Sequence, residues 1–187
     1  MIGRIMFLWW EAKVRIHTWA LKGQFGKWEG GSRLEPPCNL SGASLIHIGE
    51  RVQLGSHSWL NAKDDRGSGR PTLTIGGGTH VGRFVQINAW REVVIEEDVL
   101  IADRVFITDA DHKFNDIKTP ILNQGDHFKG KVCLKKGCWL GIGVVIMPGV
   151  TIGRNSIVSA NSVVTRDVPD YTIFAGSPAR MIRAIST

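Results

Sequence analysis

The chain has 187 residues, 43% of them apolar and 21% charged, the mix of one globular domain with a sizeable core. Its formal charge is +6 and its pI near 9.5. Lys and Arg are scattered with no basic run of five, which argues against nucleic acid and suits an anionic small ligand.

Residues 1–44 read as a non-repeating N-terminal cap. The opening MIGRIMFLWW turns charged with no small-residue cleavage site after it, so no signal peptide is expected, and no run reaches the ~18 apolar residues that span a bilayer. Trp9, Trp10 and Trp19, interleaved with Arg4, Lys13, Arg15 and Lys22, have the spacing of an amphipathic helix. Such a helix either covers the open end of a repeat structure or lies on an inner-membrane surface as a peripheral contact. Residues 30–42, GGSRLEPPCNLSG, read as a turn-rich entry. Cys38, Cys133 and Cys138 lack metal-ligand spacing and read as reduced thiols of a cytoplasmic protein.

From Ile48 the chain keeps a six-residue beat. Ile48, Leu54, Leu60; Ile75, Val81, Ile87; Ile95, Ile101, Ile107; and Leu134, Leu140, Ile146, Ile152, Val158, Val164 are all Ile, Leu or Val. The next residue is often small (Gly49, Gly55, Gly76, Gly82, Gly141, Gly153), and the fourth after the aliphatic is small or β-branched (Val52, Ser58, Thr79, Val99, Ser162). Six is neither a helix period nor plain strand alternation. It fits a short strand and a tight corner, with glycine supplying unusual φ at the corner. Three such units close one coil of a solenoid over residues 45–187.

The beat is interrupted after Leu60, Ile87 and Ile107, each the third aliphatic of its coil. Loops 61–74, 88–94 and 109–133 should therefore leave one corner of successive coils, as the binding insertions of repeat proteins do. The longest, a protruding loop at 109–133, opens with Asp109, Asp111 and His112. Gln86 and Asn88 stand one coil earlier, polar where a plain repeat wants neither.

This pattern, with the tail FAGSPARMIR at 174–183, resembles the hexapeptide-repeat acyltransferases, and within them the maltose, galactoside and polysaccharide O-acetyltransferases. The resemblance implies an all-β fold, a left-handed parallel β-helix, and a homotrimer with the site between subunits. It implies an acetyl-CoA donor, a sugar acceptor, His112 as catalytic base, and help from Asn88 in binding the acceptor. Matching positions for the coenzyme are Gly141, Ile142, Ala160, Thr165, Arg166, Arg180 and Arg183. Ile142 stands where a small polar residue is common, and Arg166 where lysine is usual.

The chemistry suits these residues. A sugar hydroxyl needs a base at neutral pH, and histidines ionise near pH 6.5, which makes them effective proton acceptors there. A carboxylate can hold the imidazole; Asp109 and Asp111 are both candidates. The oxyanion needs an N–H donor, from backbone or from an amide such as Gln86 or Asn88. Rival expectations are N-acetyl transfer to an amino sugar and a non-catalytic binding subunit. The zinc-binding β-helix of γ-type carbonic anhydrases needs histidines five apart; here the residue five after His112 is Ile117, so no metal is expected.

Overall fold

The computed structural model describes residues 2–186, the side chains of Ile2 and Arg4 excepted. Three parallel sheets form the sides of a solenoid. The first runs Lys27–Trp28, Ile46–Ile48, Leu73–Ile75, Val93–Ile95, Val132–Leu134, Thr151–Ile152. The third runs Asn39–Ser41, Trp59–Ala62, Gln86–Ala89, Phe106–Thr108, Val145–Ile146, Val163–Val164. Between them in the coil, the second stacks Arg33–Leu34, Gln53–Leu54, His80–Val81, Leu100–Ile101, Trp139–Leu140, Ile157–Val158 and Thr172–Gly176. Ala179–Ala184 ends the second sheet as an antiparallel strand.

The fifteen aliphatics of the beat line up as three ladders. Ile48, Ile75, Ile95, Leu134 and Ile152 pair directly in the first sheet. Leu54, Val81, Ile101, Leu140 and Val158 do so in the second, and Leu60, Ile87, Ile107, Ile146 and Val164 in the third. None is more than 1% exposed, so each removes nearly its whole side chain from water, about 1.5–3 kcal/mol apiece. The fourth-after positions fill the corners of the same core. Where they are hydroxyls, each finds a carbonyl: Ser156 donates to Gly153 at 2.6 Å and Thr79 to Glu96 at 3.0 Å.

The corner glycines act differently from the expectation. Positive φ falls three residues after the aliphatic, at Arg51, His57, Phe84, Asp98, Arg104, Asn155 and Asn161 as well as at glycines such as Gly78 and Gly143. The glycine immediately after the aliphatic has no positive φ; it lets coils stack closely. A Cβ on Gly76 would sit 2.5 Å from the Glu96 carbonyl carbon one coil on. Gly76→Ala is therefore expected to cost roughly 1–3 kcal/mol by overpacking, read as a lower urea midpoint. An unchanged midpoint would show that the coils can part.

The solenoid also starts earlier than residue 45. Trp28, Leu34 and Leu40 already keep the six-residue beat and pair with Ile48, Leu54 and Leu60. Ahead of this coil the helix Ile2–Leu21 lies against the edge strand Arg33–Leu34. Val14 is fully buried, Leu34 N–H donates to the Thr18 hydroxyl at 2.9 Å, and Arg33 meets Glu11 at 2.7 Å. The helix thus covers an edge that would otherwise be free to pair.

Candidate functional site

Stacking of the third sheet brings the three interrupted corners together. Asn61 pairs with Asn88, and Asn88 with Thr108, on consecutive coils. The loops that leave here lock to one another. Arg91 Nε donates to both Asp65 oxygens at 2.7 and 2.9 Å, and its guanidinium lies 4.9 Å from the Phe128 ring centroid. Asp109 is fully buried, and its carboxylate accepts the backbone N–H groups of Trp90, Arg91 and Glu92, each at 2.8 Å.

The long loop begins as a hairpin, Ala110–His112 antiparallel to Asp126–Phe128. His112 faces Asp126 across it, and the Asp126 carboxylate contacts His112 Nδ1. The imidazole is 72% exposed, its carboxylate partner 23%. Neither expected aspartate reaches the imidazole. Asp109 is turned inward to hold the neighbouring loop. Asp111 accepts the His112 backbone N–H at 2.9 Å and the Lys129 ammonium at 3.2 Å. Burial would raise the Asp111 carboxyl, but Lys129 and the His112 N–H outweigh it and hold it below the usual range.

His112 and Asp126 open onto a cleft of about 320 Å³ on the outer face of the third sheet. Trp59, Asn61, Gln86, Asn88, Trp90, Phe106 and Met147 line it with them. The Asn88 side-chain oxygen accepts from Asn61 at 3.5 Å and from Gln86 at 3.4 Å, long bonds that leave the Asn88 amide N–H₂ available. Lys63 sits 4.0 Å from the Trp90 ring centroid. Gln86 and Asn88 are expected from the sequence; Asn61 and Trp59 join them only in the structure. Those two flank Leu60 just as Asn88 and Gln86 flank Ile87, so the register signal was present. Asp126 had no such signal, because only the hairpin register brings it to His112.

The seven coenzyme candidates fall into two groups. Gly141, Ile142 and Ala160 share the corner after the second sheet on consecutive coils; a Cβ on Gly141 would lie 2.6 Å from Ala160 N. Arg180 and Arg183 lie on the last strand, opposite Ala175 and Ile173. Thr165 and Arg166 stand one corner further, after the third sheet, in line with the inserted loops. Among the described residues Arg166, Arg180 and Arg183 form no ion pair with an acidic side chain, which leaves their charges for an anion. No group of three His, Cys, Asp or Glu side chains among the described residues is arranged to hold a metal. Cys138 is a core residue whose thiol burial pushes up to about 12, and burial holds Cys38 at about 11, so neither is a ready nucleophile.

Residues 134–166 match the family of bacterial transferase hexapeptides, six repeats. WbbJ of Escherichia coli, assigned as a lipopolysaccharide-biosynthesis O-acetyltransferase, is 33% identical over 153 residues, 79% of this chain and 76% of its own. The chain belongs to the hexapeptide-repeat transferases. Their left-handed parallel β-helix is the solenoid described above. The galactoside O-acetyltransferase of Escherichia coli is 32% identical over 153 residues, 82% of this chain. The chain spans 61% of that relative's length, and 44% of an assigned acetyltransferase of Mycobacterium tuberculosis. Among solved structures, a galactoside acetyltransferase in complex with coenzyme A superposes with TM-score 0.59 at 29% identity, over 89% of this hexapeptide-repeat transferase and 68% of that chain. The N-acyltransferase AntD from Bacillus cereus, at 23% identity, shares the fold: TM-score 0.75 over 91% of this chain and 88% of that one.

Proposed function

We propose that this transferase moves the acetyl group of acetyl-CoA to a sugar hydroxyl, in polysaccharide or glycoconjugate biosynthesis. The observation that carries the proposal is His112, tethered through Nδ1 by Asp126 at the mouth of a cleft of amides and indoles. With the Nδ1 proton directed to the carboxylate, Nε2 is the free acceptor nitrogen. Nε2 takes the hydroxyl proton as the sugar oxygen bonds to the thioester carbonyl carbon. The tetrahedral oxyanion then collapses, the carbon–sulfur bond breaks, and the imidazolium returns the proton to the departing thiolate. Gln86 and Asn88 supply amide donors for the acceptor or the oxyanion. Trp59 and Trp90 offer flat apolar faces suited to the C–H face of a sugar ring.

Acetyl-CoA is assigned to the C-terminal coils: Gly141 lets the coils stack closely there, Ile142 and Ala160 are exposed at that corner for pantetheine to run along, and Thr165, Arg166, Arg180 and Arg183 suit the rest of the coenzyme, the arginines its phosphates. A side-by-side homotrimer and a cytoplasmic setting belong to the same proposal. Leu100 and Trp139, each 44% exposed on neighbouring strands of the second sheet, provide apolar surface for a second subunit.

The test is thiol release from acetyl-CoA over a panel of neutral and amino sugars. Product acetylated at oxygen supports the reading; acetylation of amines alone would replace it with N-acetyl transfer. Asp126→Asn should lower kcat roughly 10²-fold by favouring the wrong tautomer, less than for a fully buried triad carboxylate. KM for acetyl-CoA should hold. An unchanged kcat would leave Asp126 structural.

A further inference from the structure

The N-terminal helix turns most of its apolar residues away from the body, while Met6 and Phe7, off that side in its first two turns, are exposed as well. Its inward residues are Glu11, Val14, Thr18 and Leu21, spaced three or four apart. At 100° per residue, Ile5, Leu8, Trp9, Ile16 and Trp19 fall with Ala12 and Ala20 on the opposite side, an arc of about 120°. All seven are exposed, Trp9 by 75%, Trp19 by 73% and Ile16 by 68%. Beside the arc an apolar groove of about 730 Å³ runs between Met6, Trp10 and Pro36. A cap needs only the inward stripe; it gives no reason for two tryptophans and two isoleucines on the far side.

The charges say what covers the arc. Arg15 borders it on one edge and Lys13 on the other, both exposed. The helix's single acidic residue, Glu11, lies on the inward side and is paired with Arg33. An apolar strip with indoles, edged by cations and free of acids, complements an anionic lipid surface. A second copy meeting it face to face would bring like-charged edges together. The helix is not a span: no described helix is long and apolar enough to cross a membrane.

We infer that Ile2–Leu21 is an interfacial anchor that lays this transferase on an anionic bilayer, its outward arc among the acyl chains and Lys13 and Arg15 among the headgroups. The inference is independent of the acetyl-transfer reading.

The test is flotation of the full chain with phosphatidylcholine vesicles, with and without phosphatidylglycerol. The chain should float with the anionic vesicles, with a blue-shifted indole emission. Trp9→Ser with Ile16→Ser should cut partitioning at least about tenfold while acetyl-CoA binding, remote from the helix, is kept. Lys13→Gln and Arg15→Gln should each lose about fivefold on anionic vesicles alone. Failure of the folded chain to float, or equal flotation of the Trp9→Ser, Ile16→Ser protein, overturns the inference. So does a soluble oligomer that Trp9→Ser dissociates in the absence of lipid, which would assign the arc to a second copy.

Discussion

Replacing His112 with alanine is expected to cut turnover by about 10²–10⁴-fold while acetyl-CoA affinity changes less than about twofold. The imidazole is 72% exposed, and its contact is with the single carboxylate of Asp126, so its removal leaves no core cavity. The melting temperature should therefore hold. Steady-state thiol release beside calorimetric binding of the donor separates the outcomes. Loss of kcat alone fits a base acting in the transition state, whereas equal loss of donor affinity would mean that His112 only shapes the site. Retained turnover would move the proton transfer elsewhere.

Asp109→Ala should do something different. Asp109 adjoins the site in sequence, but its carboxylate is fully buried and accepts three backbone N–H groups at 2.8 Å. Alanine leaves all three without a partner, at about 1–3 kcal/mol each, and frees the 88–94 corner from the loop that carries His112. A loss of about 3–5 kcal/mol is expected, with a fall in Tm on the order of 10 °C. Faster amide exchange should appear at Trp90, Arg91 and Glu92. Turnover should fall as well, in step with the loosened loops, and Asp109→Asn should fall between. A normal Tm with a selective loss of kcat would instead return Asp109 to the chemistry.

The two aspartates show where sequence reasoning stops. Asp109, Asp111 and His112 are neighbours in the chain, yet strand alternation sends adjacent side chains to opposite faces. Asp111 therefore turns to Lys129, away from His112, whereas Asp109 lies between two strands and its carboxylate is drawn inward by the N–H groups of Trp90, Arg91 and Glu92. The partner of His112 is Asp126, fourteen residues on, which only the hairpin register brings across. By contrast, the ladders were legible because burial repeats at every sixth residue in three parallel sheets. The stacking of the loop corners followed from counting the same beat, and with it the meeting of Gln86, Asn88 and His112 in one cleft. The first coil is masked in the sequence because Trp28 is aromatic and the Pro36–Pro37 turn reads as irregular, although Leu34 and Leu40 keep the period. The corner glycines are plain in the sequence but their task is not, since stacking distance is a property of two coils, and a single repeat shows only one.

Calorimetric titration of the folded chain with acetyl-CoA tests the central claim most directly, because it needs no knowledge of the acceptor. Saturable binding in the micromolar range is expected, near one site per chain, and weakened by Arg180→Gln with Arg183→Gln. A folded protein that takes up no detectable acetyl-CoA would contradict the acetyl-transfer account and leave a β-helix whose loop corner serves another ligand.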